Sequence, residues 1–133
     1  MSELTCDSRV LEASSAGDII EIAFHGVHEW THGGKMQRFI QQTVMDVDPS
    51  PSAVVINLLD YDYEAGNDIS GLFDAFMDRK RHRLRPCCIV ATGRTHGAMY
   101  PFFASARILD TFRLRFVPTI QEALTWLHNE VAQ

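Results

Sequence analysis

The sequence predicts an α/β fold: a mixed, mostly parallel sheet of four to five strands with about four helices, in the order β-β-α-β-α-β-α-β-α. Three observations lead there. Short, β-branched apolar runs alternate with stretches whose apolar residues recur at helical spacing. Clusters of Pro, Gly, Ser and Asp separate them. The chain has 133 residues, 46% of them hydrophobic and 22% charged, which suits one domain with its own core, expected to span 1–133.

Each element follows in order. Residues 18–24 alternate as a strand does, behind the turn-like Ser14-Ser15-Ala16-Gly17. Residues 9–12 read as the hairpin partner of that strand. The pattern breaks at His25-Gly26. Thr31 suits an N-cap, and Met36, Phe39, Ile40, Thr43, Val44 and Val47 recur at helical spacing. Asp48-Pro49-Ser50-Pro51 stops that helix. Residues 53–59 form a strand of the kind buried on both faces. Residues 60–68 are an acidic loop, and Asp68 caps a second helix whose apolar stripe is Ile69, Leu72, Phe73, Phe76 and Met77. That helix is expected to end at Pro86. Residues 87–91 are another buried strand, and 92–98 a loop. Pro101 suits a first helical position, so a third helix is expected from there to about Asp110. Residues 114–117 make the last strand. Thr119 caps the final helix, Glu122 completes a capping box, and Ala123, Leu124, Leu127 and Val131 are its core face.

The net charge of −5 is unevenly distributed. Residues 1–78 hold 14 acids and 3 Lys/Arg, and residues 79–133 hold 3 acids and 9 Lys/Arg. Five of those nine lie in the run Arg79-Lys80-Arg81-His82-Arg83-Leu84-Arg85. The run reads as cations at the negative end of the second helix. A docking patch is the other reading, but an acidic chain without aromatic-basic interleaving argues against nucleic acid as a partner. No apolar run approaches a membrane span, and no secretory signal is visible at the N-terminus. Three cysteines, two of them adjacent, make no disulfide framework, so a reduced, cytoplasmic protein is expected.

Few motifs carry catalytic or cofactor chemistry. Gly33-Gly34-Lys35-Met36 lacks the Ser or Thr and the earlier glycine of a phosphate-binding loop. No dinucleotide fingerprint follows a strand, and no cofactor is expected. His25, His28 and His32 have metal-like spacing, but neighbouring glycines oppose a helix there and no fourth ligand is evident, so no metal site is assigned. Cys87-Cys88 at the start of a buried strand reads as two small hydrophobes pointing to opposite faces. Ser70, His96 and Asp68 could form a nucleophilic trio, yet there is no strained nucleophile elbow. No catalytic residue is assigned, and the chain is expected not to be an enzyme.

Asp68-Ile69-Ser70-Gly71-Leu72 is the informative stretch. An acid caps a helix, a serine sits in its first turn and a glycine permits close approach. The positive helix end favours a phosphate, which would add about −1.5 to −2 charge beside Asp60, Asp62, Glu64, Asp68 and Asp74. Ordinary N-capping chemistry explains the same residues.

This stretch, placed after a buried strand and an acidic loop, resembles the Asp-Ser-Ser-Gly-Leu signature of STAS domains, the anti-sigma-factor antagonist or SpoIIAA-like fold. Phe24-His25-Gly26 is similar to the end of that family's second strand, Val54 to Asn57 to its central strand and Cys88 to Thr92 to the next. Residues 116–124 are similar to its closing strand and the start of its last helix, and the element order matches over most of the chain. Ile69 departs from the pattern, leaving Ser70 as the phosphoacceptor candidate. Gly66-Asn67 replaces an apolar pair, and the acidic loop is longer than usual.

The resemblance implies a non-enzymatic regulatory domain whose partner is an anti-sigma-type serine kinase, with phosphorylation of Ser70 breaking the complex. The partner-binding face would comprise Asp60, Asp62, Asp68, Ser70, Gly71, Arg94 and His96. A related SpoIIAA-like group of stand-alone bacterial proteins lacks the phosphorylation signature and is associated with apolar-ligand or lipid binding. The alternative is therefore a small apolar ligand in a pocket lined by Phe73, Phe76, Met77, Met99, Tyr100 and Phe103, with Phe102 nearby. Ordinary core packing is the simpler reading of these aromatics. The oligomeric state is not legible.

Overall fold

The computed structural model describes residues 4–27, 32–47, 49–63 and 70–131, excluding the side chains of His32, Gly33 and Ser70. Strand β1 (Thr5–Glu12) runs antiparallel to β2 (Ile19–Val27). Helix α1 (His32–Ile40) continues through a π turn (Gln41–Met45) and leads to β3 (Ala53–Asn57). After the two-residue strand β4 (Tyr61–Asp62) comes a 3₁₀ segment (Ser70–Phe76), then the hairpin of β5 (Met77–Asp78) and β6 (Arg83–Leu84). The chain finishes with β7 (Cys87–Val90), α2 (Gly93–Ser105), the short α3 (Ile108–Thr111), β8 (Leu114–Val117) and α4 (Ile120–Val131).

The sheet runs in the order β1-β2-β3-β7-β8, with β4 added to the end of β2. Every pairing in it but β1–β2 is parallel. Its central strands are buried on both faces, which is why Ala53-Val54-Val55-Ile56 and Cys87-Cys88-Ile89-Val90 are apolar without alternation. Ile22, Phe24, Val54, Ile56, Cys87 and Ile89 pack on one face with Met36, Ile40, Val44, Leu72, Phe76, Met99 and Phe103. Ile19, Ala53, Val55, Cys88, Val90 and Val117 pack on the other with Ala123 and Leu127 of α4. The adjacent cysteines thus point to opposite sides, as their position in a buried strand predicts.

Five local expectations need correction. Strand β2 does not stop at Phe24: it continues through His25 and Gly26, where Gly26 takes φ +124 and its N–H meets the Asp60 carbonyl at 3.0 Å. The expected second helix is a short 3₁₀ segment followed by a hairpin. Consequently Met77 leaves the core stripe and is 37% exposed. The third helix starts at Gly93, with Pro101 inside it rather than at its first position. Thr95, Met99 and Phe103, spaced four apart, are its buried residues, so packing overrides two glycines and a proline. Finally, Val131 lies outside the α4 core face, at 38% exposed. The capping box of that helix is in place: the Glu122 N–H reaches Thr119 Oγ1 at 3.1 Å, and the Thr119 hydroxyl donates to the Glu122 carboxylate at 3.1 Å.

The hairpin explains the basic run. Asp78 is 1% exposed and draws Arg81, Arg83 and Arg85 towards it at 3.3, 4.0 and 4.0 Å. It also accepts from the Ser50 hydroxyl and the Arg81 N–H. Arg85, itself 1% exposed, donates to the carbonyls of Pro51, Ala75 and Met77. The run is therefore not a helix end. Arg81 and Arg85 close the amino ends of β3 and β7 around one buried carboxylate, while Arg79, Lys80 and Arg83 stay exposed.

Candidate functional site

At the opposite, carboxyl end of the sheet, β2, β3 and β7 open onto a cleft of about 580 Å³. Open α/β sheets place ligands and partners at such ends. Its walls include Gly26, Asp60, Asp62, Thr92, Arg94 and Thr95. The acidic loop and the segment after β7, far apart in sequence, thus meet here.

Three contacts build the cleft. Arg94 donates through Nε to Asp62 Oδ1 at 2.9 Å and through Nη2 to Asp62 Oδ2, a two-pronged pair at the mouth. Thr95, 5% exposed, donates its hydroxyl to the Tyr61 carbonyl at 2.8 Å and accepts the Tyr63 N–H at 3.2 Å. It locks the start of α2 to the β4 segment. His25 lies between two carboxylates, with Nδ1 2.8 Å from Asp60 and Nε2 2.8 Å from Asp7. A neutral imidazole has one N–H, so only the imidazolium can donate to both. Hydrogen bonds to Asp60 and then Asp7 raise its pKa above the ordinary imidazole value.

The residues assigned from sequence are distributed as follows. Asp60, Asp62 and Arg94 line the cleft, the first tied to His25 and the last two to each other. Gly71 is buried in the 3₁₀ segment that Ser70 opens. Asp68 lies outside the described residues. His96 stacks on Tyr100 with centroids 5.2 Å apart and meets Phe116 edge-on, on the face of α2 that carries Tyr100. Of the suggested apolar pocket, Phe73, Phe76 and Phe103 pack on one another, and Phe73 and Phe76 also on Phe112, with centroids 5.5–6.4 Å apart. Phe76, Met99 and Phe103 are buried, whereas Tyr100 and Phe102 are 42% and 50% exposed. Met77 borders a different cavity, beside Asp78 and Arg85.

Of the three spaced histidines, His25 is occupied at both ring nitrogens and His28 lies outside the described residues. Among the described residues no set of three His, Cys, Asp or Glu side chains is placed to hold a metal. Burial pushes the Cys88 thiol up to about 12 and Cys87 well above its ordinary value, which suppresses thiolate at neutral pH. Sequence reasoning missed Asp7, His25 and Thr95 as members of the site. Asp7 and Asp60 stand 18 and 35 positions from His25, so no local pattern could announce the triple.

The fold resembles that of an anti-sigma factor antagonist from Mycobacterium paratuberculosis, known from a crystal structure. The TM-score is 0.62 at 21% sequence identity, over 93% of this chain and 95% of that one. The domain thus has the STAS/SpoIIAA-like fold that the sequence resemblance implied. No protein-family model matches the chain, and no curated protein does. Among the described residues, no helix is long and apolar enough to cross a membrane.

Proposed function

We propose that this chain is a non-catalytic regulatory domain that binds a protein partner through the cleft face at the carboxyl ends of β2, β3 and β7. The observation that carries this reading is the Asp62–Arg94 pair, held across the cleft by the Thr95 contacts to Tyr61 and Tyr63. It presents opposite charges on a rigid frame, suited to reading a polar surface rather than enclosing a small molecule. The likeness to an anti-sigma factor antagonist supports a partner of the anti-sigma type, a serine kinase in the cytoplasm. Ser70 opens the 3₁₀ segment that follows the acidic loop. Phosphate there would add about −1.5 to −2 charge to an already acidic stretch of the chain, weakening binding to an acidic or charge-matched partner.

Phosphopeptide mapping of the chain isolated from its native host under several growth conditions tests the switch. One phosphoryl group on Ser70 is the expected finding. A chain unmodified at Ser70 under every condition would remove the switch.

A further inference from the structure

A second cavity, of about 460 Å³, lies between β1 and α1. Lys35, Arg38 and Gln42 line it from the helix side, spaced so that they share one face. Leu4 and Phe39 give it apolar walls, and Thr5 and Cys6 of β1 close it. Its volume falls within the roughly 300–1,000 Å³ typical of small-molecule sites.

The charge here is out of character for the chain. Residues 1–78 contain only three Lys/Arg against 14 acids. Arg9 is bound to Glu21 at 2.8 Å. The other two, Lys35 and Arg38, both border this cavity, and no carboxylate among the described residues does. Elsewhere Arg79, Arg81, Arg94, Arg107 and Arg113 each face an acid. Arg38 has no hydrogen bond or ion pair among the described residues. Lys35 donates to the Leu4 carbonyl at 2.5 Å, which leaves two of its three N–H donors.

We propose that this cavity binds a small organic anion, a carboxylate or phosphate monoester with a short apolar body. The anionic head lies against Lys35 and Arg38, and the body rests on Leu4, Phe39 and the Cys6 side chain. The site is separate from the partner-binding reading and does not depend on it.

Cys6 provides a reporter, because Cys87 and Cys88 are buried. Burial raises the Cys6 thiol pKa and the nearby Lys35 charge offsets this in part, so alkylation by neutral iodoacetamide is followed in mildly alkaline buffer. Hexanoate, phenyl phosphate and the neutral control hexan-1-ol are titrated against the full chain. At a concentration about three times the Kd, a bound anion slows Cys6 alkylation about fourfold, since only free protein reacts. The expected result is protection by hexanoate or by phenyl phosphate, the stronger identifying the head group. Arg38→Gln, which breaks no hydrogen bond or ion pair among the described residues, should weaken it about tenfold. Equal protection by hexan-1-ol, undiminished protection in R38Q, or none from either anion up to about 10 mM would overturn the proposal.

Discussion

His25 holds Asp7 and Asp60 at once, each ring nitrogen 2.8 Å from a carboxylate oxygen. The triple joins β1, the end of β2 and the turn before β4, so it fastens the outer strand to the rim of the cleft. Its pKa is raised in the folded chain. Its stabilising effect is therefore full below the unfolded imidazole value of about 6.5 and is lost as pH rises through the folded value. Exposed pairs of this kind are worth up to about 1 kcal/mol each. Urea unfolding of the native chain and His25→Asn should differ at about pH 5.5 and converge at alkaline pH. A gap that stayed constant across the range would show that the imidazolium is not the active form.

Asp78 is the next test. Removing it leaves Arg85 buried without its acid, and breaking a buried pair typically costs about 3–5 kcal/mol. Arg83 is 48% exposed and sits 4.0 Å away, so Arg83→Ala should cost no more than about 1 kcal/mol. Thermal or urea denaturation of Asp78→Ala and Arg83→Ala measures the contrast. Equal losses would mean that Asp78 is not the centre of the network.

The same region shows where sequence patterns stop being informative. The strand–helix alternation was readable because β3 and β7 are apolar runs between turn residues, and α4 because Thr119 and Glu122 announce its start locally. The second helix misled because Leu72, Phe73 and Phe76 fit a helical stripe as well as a 3₁₀ segment. The hairpin that follows turns through His82 at φ +53 without the usual glycine or asparagine. What drives that turn is the burial of Asp78 against Ser50, a tertiary contact 28 positions away. In α2 the difficulty was the reverse: Gly93 and Gly97 suggest a loop and Pro101 a first helical position, and only the buried spacing of Thr95, Met99 and Phe103 shows that the helix starts at Gly93. At the site, the resemblance named Asp60, Asp62 and Arg94, which the fold brings to one cleft. The contacts of His25 and Thr95 were not, because their partners lie on other strands.

Phe103 is fully buried, with ring centroids 5.3 Å from Phe116 and 6.2 Å from Phe73. Phe103→Ala should destabilise by about 3–5 kcal/mol. Its neighbour Phe102 is 50% exposed, and its truncation should cost less than about 1 kcal/mol. Differential scanning calorimetry distinguishes the two. A large loss at Phe102 would place that ring inside a packed interface.

Gly17 takes φ +122, and a Cβ there would lie 2.8 Å from the Ser50 carbonyl oxygen. Both backbone strain and a backbone clash oppose any side chain. Gly17→Ala should cost about 2 kcal/mol or more, read as a lowered urea midpoint. An unchanged midpoint would show that the β1–β2 turn rearranges freely.

The partner-binding face is tested most directly by site-specific photo-crosslinking in the native host. One crosslinking side chain replaces Thr92, exposed on the cleft wall. Another replaces Arg79, exposed at the opposite end of the sheet. Partner binding at the cleft predicts a protein adduct from position 92, identified by mass spectrometry as an anti-sigma-type serine kinase, and none from position 79. Ser70→Glu should reduce that adduct. Crosslinking from position 79 alone, or from neither, would contradict the assignment of the carboxyl-end face.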